Sequence, residues 1–220
     1  VDGIITASVA MTSDLSNRCR AAGVPIVLFN RSQDDPDMSA VTSDNAEGGR
    51  KVAEFLLAGG HKKIGYIAGW EGASTQRDRE AGFTAALAKA GQHLHAREVG
   101  DFTMDGAAAA ARKMFADDRP DAVFVANDHM ALAVMDTLRF EFGHDVPGDV
   151  SVVGYDDGPA AAWPAYHLTT VRQPANRMVT ETVSILLDQI EDNTSPPRRI
   201  AIDGPLILRG SARIPEGWTT

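Results

Sequence analysis

Five residues suited to holding a small polar molecule recur at or just beyond the carboxyl ends of successive apolar runs: Arg79, Phe102, Asn127, Asp156 and Gln173. A carboxylate and two amides accept from and donate to vicinal hydroxyls, an arginine fork holds two oxygens at once, and an aromatic face covers the C–H side of a sugar ring. Each has an ordinary alternative. Asn127 could simply cap the helix that follows it, and Arg79, read as lying in the first turn of its helix, could be solvated. Together they point to a polyhydroxylated ligand. In open α/β sheets ligands sit at the carboxyl ends of strands, so Asp156, delivered by Val152-Val153-Gly154-Tyr155, is expected on the floor of a binding site.

Other chemistry finds little support. The neighbouring carboxylates Asp156 and Asp157 would suit acid–base work, but no nucleophile or metal partner accompanies them. The sequence has no Gly-x-Gly-x-x-Gly after a strand, no phosphate loop ending in Lys-Ser or Lys-Thr, and no Gly-x-Ser-x-Gly elbow. Its six histidines are scattered: His93 and His95 stand two apart in a loop, and none has a second ligand at metal spacing. The acidic run Asp34-Asp35-Pro36-Asp37 lacks the calcium-loop pattern and reads as a solvated turn. An enzyme, a metal and a cofactor are therefore not expected.

The elements that must position these residues are short apolar runs alternating with stretches of helical period, the mark of parallel α/β architecture. Strands are expected over 1–7, 24–29, 41–43, 63–68, 98–102, 121–126, 152–156 and 168–172. Ser13 can cap a first helix carrying Leu15, Cys19 and Ala22. Asp44 or Asn45 can cap a second from Ala46 to about Leu57, with Val52, Phe55 and Leu56 on its apolar face. Gly48-Gly49 near its start disfavours helix, which implies close approach of a ligand or backbone, or tight helix packing. Later helices start near Arg77, Met104 and Asp128, and the last, Ala175 to Ile190, aligns Val179, Val183, Leu186, Leu187 and Ile190. Arg199 to Leu208 reads as two short strands or one kinked connection about Gly204-Pro205.

With 220 residues the chain can bury a substantial core. Its net charge of -9, with basic residues only in isolated doublets such as Arg50-Lys51 and Lys62-Lys63, opposes nucleic-acid binding by this segment. The single cysteine, Cys19, excludes an internal disulfide, and no apolar run reaches the length of a membrane span. A cytoplasmic setting is expected. Val1-Asp2-Gly3-Ile4-Ile5 reads as a strand entered without a lead-in, as in a fragment or a processed chain.

The ligand-type residues lie within stretches that carry a family resemblance. These are Val1-Asp2-Gly3-Ile4-Ile5; Val24-Pro25-Ile26-Val27; Asp44-Asn45 with Gly48-Gly49; Gly60-His61-Lys62-Lys63-Ile64; Arg79 to Gly82-Phe83; Ala126-Asn127-Asp128 with Met130-Ala131-Leu132; Val146 to Asp157; and Leu168-Thr169-Thr170-Val171 with Gln173-Pro174. In this order and spacing the chain resembles, along essentially its whole length, the effector-binding core of the lactose-repressor (LacI/GalR) family of bacterial transcription regulators. That family is related to periplasmic sugar-binding proteins. The resemblance implies two Rossmann-like lobes with parallel sheets, joined by three crossovers, with the effector in the cleft between them. It allots 1–60 and 174–200 to the amino-terminal lobe, and 61–173 and 201–220 to the carboxyl-terminal lobe.

By the same resemblance, effector contacts fall on Arg79, Phe102, Asn127 and Asp156, and in the sugar-binding relatives on Gln173. Glu47 and Asp44 are less direct counterparts, and Trp70 and Trp163 are candidates for ligand cover. Nothing here resembles the family's helix-turn-helix, its hinge helix or the first two βα units of its amino-terminal lobe, so that lobe is expected to be incomplete. The implied function is an effector sensor, in a homodimer that contacts DNA only through the missing segment. The alternative is a periplasmic sugar carrier of a transporter. As site residues outside the core, Asp156 and Arg79 are each expected to tolerate alanine without unfolding while losing ligand.

Overall fold

The computed structural model describes residues 1–7, 9–11, 14–192 and 194–219. In chain order these form β1 (Ile4–Ala7), α1 (Leu15–Ala21), β2 (Ile26–Phe29), β3 (Ser39–Ser43), α2 (Asn45–Ala58), β4 (Ile64–Ala68) and α3 (Ser74–Lys89). There follow β5 (Ala96–Val99), α4 (Met104–Met114), β6 (Ala122–Val125), α5 (Asp128–Asp136), β7 (Ser151–Asp156), β8 (Thr169–Arg172), α6 (Ala175–Glu191), β9 (Arg199–Ile202) and β10 (Leu206–Ile207). The expected cap Ser13 lies outside the described residues.

Among the described residues the strands make two sheets, ordered β1-β2-β3-β9 and β10-β8-β7-β6-β4-β5, and only β10 runs antiparallel to its neighbour. The chain passes between them three times: after β3, between β8 and α6 at Gln173-Pro174, and between β9 and β10 at Gly204-Pro205. Every residue of β4 and β6, and all of β7 but Asp156, is buried. Their near-continuous apolar sequences reflect cover on both sheet faces, as parallel central strands require.

Three expectations shift. Val52, Ala53, Phe55 and Leu56 of α2 belong to the core of the second sheet, although the family resemblance allots the chain up to residue 60 to the first lobe. The first sheet also reaches Ile202, past the expected limit at 200. In α6 the buried residues are Met178, Thr182 and Ile185, whereas Val179, Val183, Leu187 and Ile190 of the aligned stripe are 40 to 53% exposed. The helix carries two apolar stripes about one residue apart in rotation, and only one can face a single sheet.

Gly48-Gly49 has a packing explanation. A Cβ on Gly49 would stand 2.1 Å from the Arg79 carbonyl oxygen, and one on Gly82 only 1.9 Å from that of Ala46. The helices α2 and α3 cross backbone to backbone. That crossing fixes where Arg79 can point.

Candidate functional site

Arg79 lies in the second turn of α3, because the helix begins at Ser74 rather than near Arg77. Only 2% exposed, it is held on every side. Its Nε donates to Asn45 Oδ1 at 2.9 Å, Nη1 to the Ala126 carbonyl at 2.5 Å and Nη2 to Asp156 Oδ1 at 3.2 Å. The guanidinium stacks 3.7 Å above the Tyr155 ring centroid, and the Tyr155 hydroxyl lies 3.2 Å from Ser43 Oγ of the first sheet. A planar, permanently charged fork with an aromatic base is a rigid arrangement.

Asp156 ends β7, and its side chain remains about one third exposed. Gln173 Nε2 donates to the same Oδ1 at 2.6 Å, so one carboxylate oxygen takes both donors and the other stays available. The backbone here is unusual: φ is 120° at Asp156 and 57° at Asp157. Conformations that side chains disfavour persist where the surroundings over-determine them, and they gather at functional sites. Asp157 supplies part of that restraint. Its carboxylate takes Arg172 Nε and Arg209 Nη2, both at 2.6 Å, which makes it a structural anchor.

Asn127 does cap α5, its Oδ1 accepting from Met130 N–H at 3.2 Å, and this fixes its amide nitrogen outward at 3.0 Å from His129 Nδ1. His129 Nε2 lies 2.8 Å from the Phe102 carbonyl, which can only accept, so Nε2 carries the hydrogen and Nδ1 accepts from Asn127. Phe102 is not a strand residue as expected: β5 ends at Val99, and Asp101 and Phe102 form a turn with φ of 53° and 57°. The turn lays the ring over Gly69, where a Cβ would come within 2.2 Å of it.

The five foremost candidates thus form one connected patch. Gln173, Asp156 and Arg79 are linked directly, Arg79 reaches the carbonyl preceding Asn127, and Asn127 reaches Phe102 through His129. The lesser candidates divide. Trp70, 41% exposed, stands beside the patch with Arg31 over its ring. Asp44 is spent as the α2 cap, accepting from Glu47 N–H, and Glu47 is paired by Arg50 on the outer groove between α2 and α3. Trp163 is 57% exposed on a separate loop. Another hollow, bounded by Arg20, Ile26, Met38 and Gln189, lies at the amino ends of β2 and β3, the end of a parallel sheet that ligands do not favour.

Sequence reading alone passes over Asn45, Tyr155, His129, Arg31 and Asp128. Asp128 is buried with its Oδ1 accepting from Thr170 Oγ1 at 2.6 Å and its Oδ2 from Gly158 N–H at 2.8 Å, so it braces the turn that aims Asp156. Burial, with the negative charges of Asp156 and Asp157, outweighs these hydrogen bonds and pushes its pKa up to about 7. In the unfolded chain the group titrates near ~3.9. Between those values the folded state holds a proton that the unfolded state has lost, so this group's stabilisation is full below about pH 4 and gone above about pH 7. Wild type should therefore lose about 2 to 3 kcal/mol relative to Asp128→Asn between pH 5 and pH 8. Urea unfolding of both proteins at the two pH values checks this, and parallel pH profiles would contradict it.

Residues 53–212 match the family described as periplasmic binding protein-like domain. The HTH-type transcriptional regulator CelR of Thermobifida fusca is 37% identical over 217 residues, covering 96% of this chain and 63% of that protein. The HTH-type transcriptional repressor PurR of Photobacterium profundum is 31% identical over 217 residues, covering 97% and 65% respectively. A solved transcriptional regulator CelR–cellobiose complex superposes with a TM-score of 0.89 at 36% identity, covering 96% of this chain and 66% of that one. The chain spans just under two thirds of the length of these curated relatives. A solved putative transcriptional regulator LacI from Bacillus cereus superposes with a TM-score of 0.90 at 27% identity, covering 97% of this chain and 77% of that one. With its paired sheets, triple crossover and matching sequence, the chain belongs to the periplasmic binding protein-like domain family and resembles LacI-type regulators.

Proposed function

We propose that this chain is the effector-sensing core of a LacI-type transcriptional regulator and binds a small sugar-like ligand between its lobes. The observation that carries the reading is the connected patch of Gln173, Asp156, Arg79, Asn127 and Phe102 at the strand ends of the second sheet. The free oxygen of Asp156 accepts from sugar hydroxyls, the amides of Asn127 and Gln173 supplement it, and the Phe102 face covers the ring. Arg79 is committed to protein partners on most of its donors. It acts chiefly by holding Asp156 in place.

The cellobiose held by the CelR complex supports a saccharide, and the names of the relatives support a cytoplasmic regulator over a transport carrier. Gln173-Pro174 lies on one of the three passages between sheets, so a ligand drawn onto Asp156 pulls on the hinge. Closure then requires tighter binding in one lobe arrangement than in the other. In the whole regulator a homodimer presents helix-turn-helix heads to DNA, a task for which the acidic core itself, at -9, is unsuited.

Thermal-shift measurements on this chain with a saccharide panel that includes cellobiose test the reading. A ligand at about a hundredfold its Kd should add about 2.7 kcal/mol to stability. A panel in which no saccharide, neutral or charged, raises the unfolding temperature would reject it.

A further inference from the structure

The loop between β2 and β3 leaves the first lobe, touches the second and returns. On its own lobe it is fastened at several points. Arg199 of β9 donates from Nη1 to the Asp35 carbonyl at 2.6 Å and from Nη2 to the Gln33 carbonyl at 3.0 Å, and Arg20 of α1 pairs with the Asp35 carboxylate. The buried Gln33 donates from Nε2 to the Ala10 carbonyl at 3.2 Å, which ties this loop to the one after β1.

Across the gap, both loops meet the start of α3 and the turn before it. Ser32 N–H donates to Ser74 Oγ at 2.8 Å, Arg77 Nη1 to Asp34 Oδ1 at 2.5 Å, and Met11 N–H to the Gly72 carbonyl at 3.2 Å. Arg31, at the head of the loop, adds a contact, its guanidinium carbon 5.4 Å from the Phe102 centroid. The helix so gripped is the one that carries Arg79, whose Nη2 reaches Asp156. None of Ser32, Asp34, Ser74 and Arg77 belongs to the ligand patch. The side chains of Asp34 and Arg77 are 66% and 41% exposed, so their pair lies on the rim, and Arg77 Nε also has Asp78 of its own helix at 2.8 Å. Replacing Asp34 strands no charge.

We propose that residues 32–37 are a latch across the mouth of the cleft: the Asp34–Arg77 ion pair and the Ser32–Ser74 hydrogen bond form only with the lobes together, and so set how tightly the effector is held without touching it. The inference rests on the sensor reading above and names a control on that same site. Because the loop is anchored in one lobe and its partners ride on the other, these bonds favour one lobe arrangement over the other. Apparent affinity scales with the fraction of chains already closed, so a weaker latch means a weaker grip. An exposed ion pair adds little to the folding of either lobe. Asp34 and Arg77 are therefore positioning residues, whose loss shows in binding before it shows in stability.

The test is a charge swap on this chain: Asp34→Lys, Arg77→Glu and the two together. Amide hydrogen exchange on the ligand-free proteins reads the latch at Ser32 and Met11, whose N–H groups donate across the gap. Calorimetry with cellobiose, or with whichever panel saccharide most raises the unfolding temperature, reads its effect on binding. Each single variant should exchange those two amides about threefold or more faster and bind about threefold or more weakly, and the double variant, with the pair reversed, should return both to within about twofold of wild type. At about 1 M salt, where screening shortens to about 3 Å, the difference between wild type and the single variants should narrow. Single variants with unchanged exchange, or with faster exchange but wild-type affinity, overturn this inference and leave the sensor reading intact; so does a double variant no better than the singles. If no saccharide of the panel binds wild type, the sensor reading falls and this one with it.

Discussion

Arg79→Met is expected to cost about 3 to 5 kcal/mol of stability and to abolish ligand binding. The guanidinium satisfies Asn45 Oδ1, the Ala126 carbonyl and Asp156 at once, and methionine fills its volume without any donor. Two of those acceptors are buried, and each stranded acceptor costs roughly 1 to 3 kcal/mol. Asp156 keeps Gln173 but loses the charge that holds it in place. From sequence, Arg79 is expected to be replaceable without unfolding; at 2% exposure it is as much core as site. Urea denaturation would show the effect as a fall in midpoint without a change in slope. A loss under about 1 kcal/mol would mean that these hydrogen bonds are not what holds α2 to α3.

Gly82→Ala is expected to destabilise by about 3 kcal/mol, against the roughly 1 kcal/mol that alanine gains over glycine as a helix former. The added carbon would sit 1.9 Å from the Ala46 carbonyl oxygen, and backbone cannot rotate away as a side chain can. The helices must separate, which draws Asn45, one residue before Ala46, off Arg79. Binding should weaken along with stability, although Gly82 lies outside the ligand patch. A variant as stable as wild type would show that the α2–α3 crossing is looser than the structure has it.

Much of this is legible in the sequence for identifiable reasons. The strand ends stand out because β4, β6 and β7 are buried on both faces, so their apolar runs stop abruptly at Gly69, Asn127 and Asp156. Gly48-Gly49 signals close approach, and the approach is that of α3 and of the Tyr155 ring. The residues that escape a reading of the sequence depend on contacts between distant segments. Asn45 looks like a cap until the helix crossing brings Arg79 to it, and Arg31 looks like loop until β2 and β5 deliver it and Phe102 to one gap. His129 carries no spacing signal, because its partners are an amide two residues back and the Phe102 carbonyl. The α6 stripe misleads because period alone does not say which of two apolar faces meets the sheet.

The central claim is that a saccharide is held by the free oxygen of Asp156. Calorimetric titration of wild type and Asp156→Asn, side by side, with whichever saccharide raises the unfolding temperature tests it most directly. Asparagine keeps the size and backbone preferences closest to those of aspartate and keeps an oxygen to accept from Arg79 and Gln173, so the ligand-free proteins should be similarly stable. Removing the charged acceptor should cost roughly 1.5 to 3 kcal/mol, a tenfold or greater loss of affinity. Equal affinity in the two proteins would contradict the account.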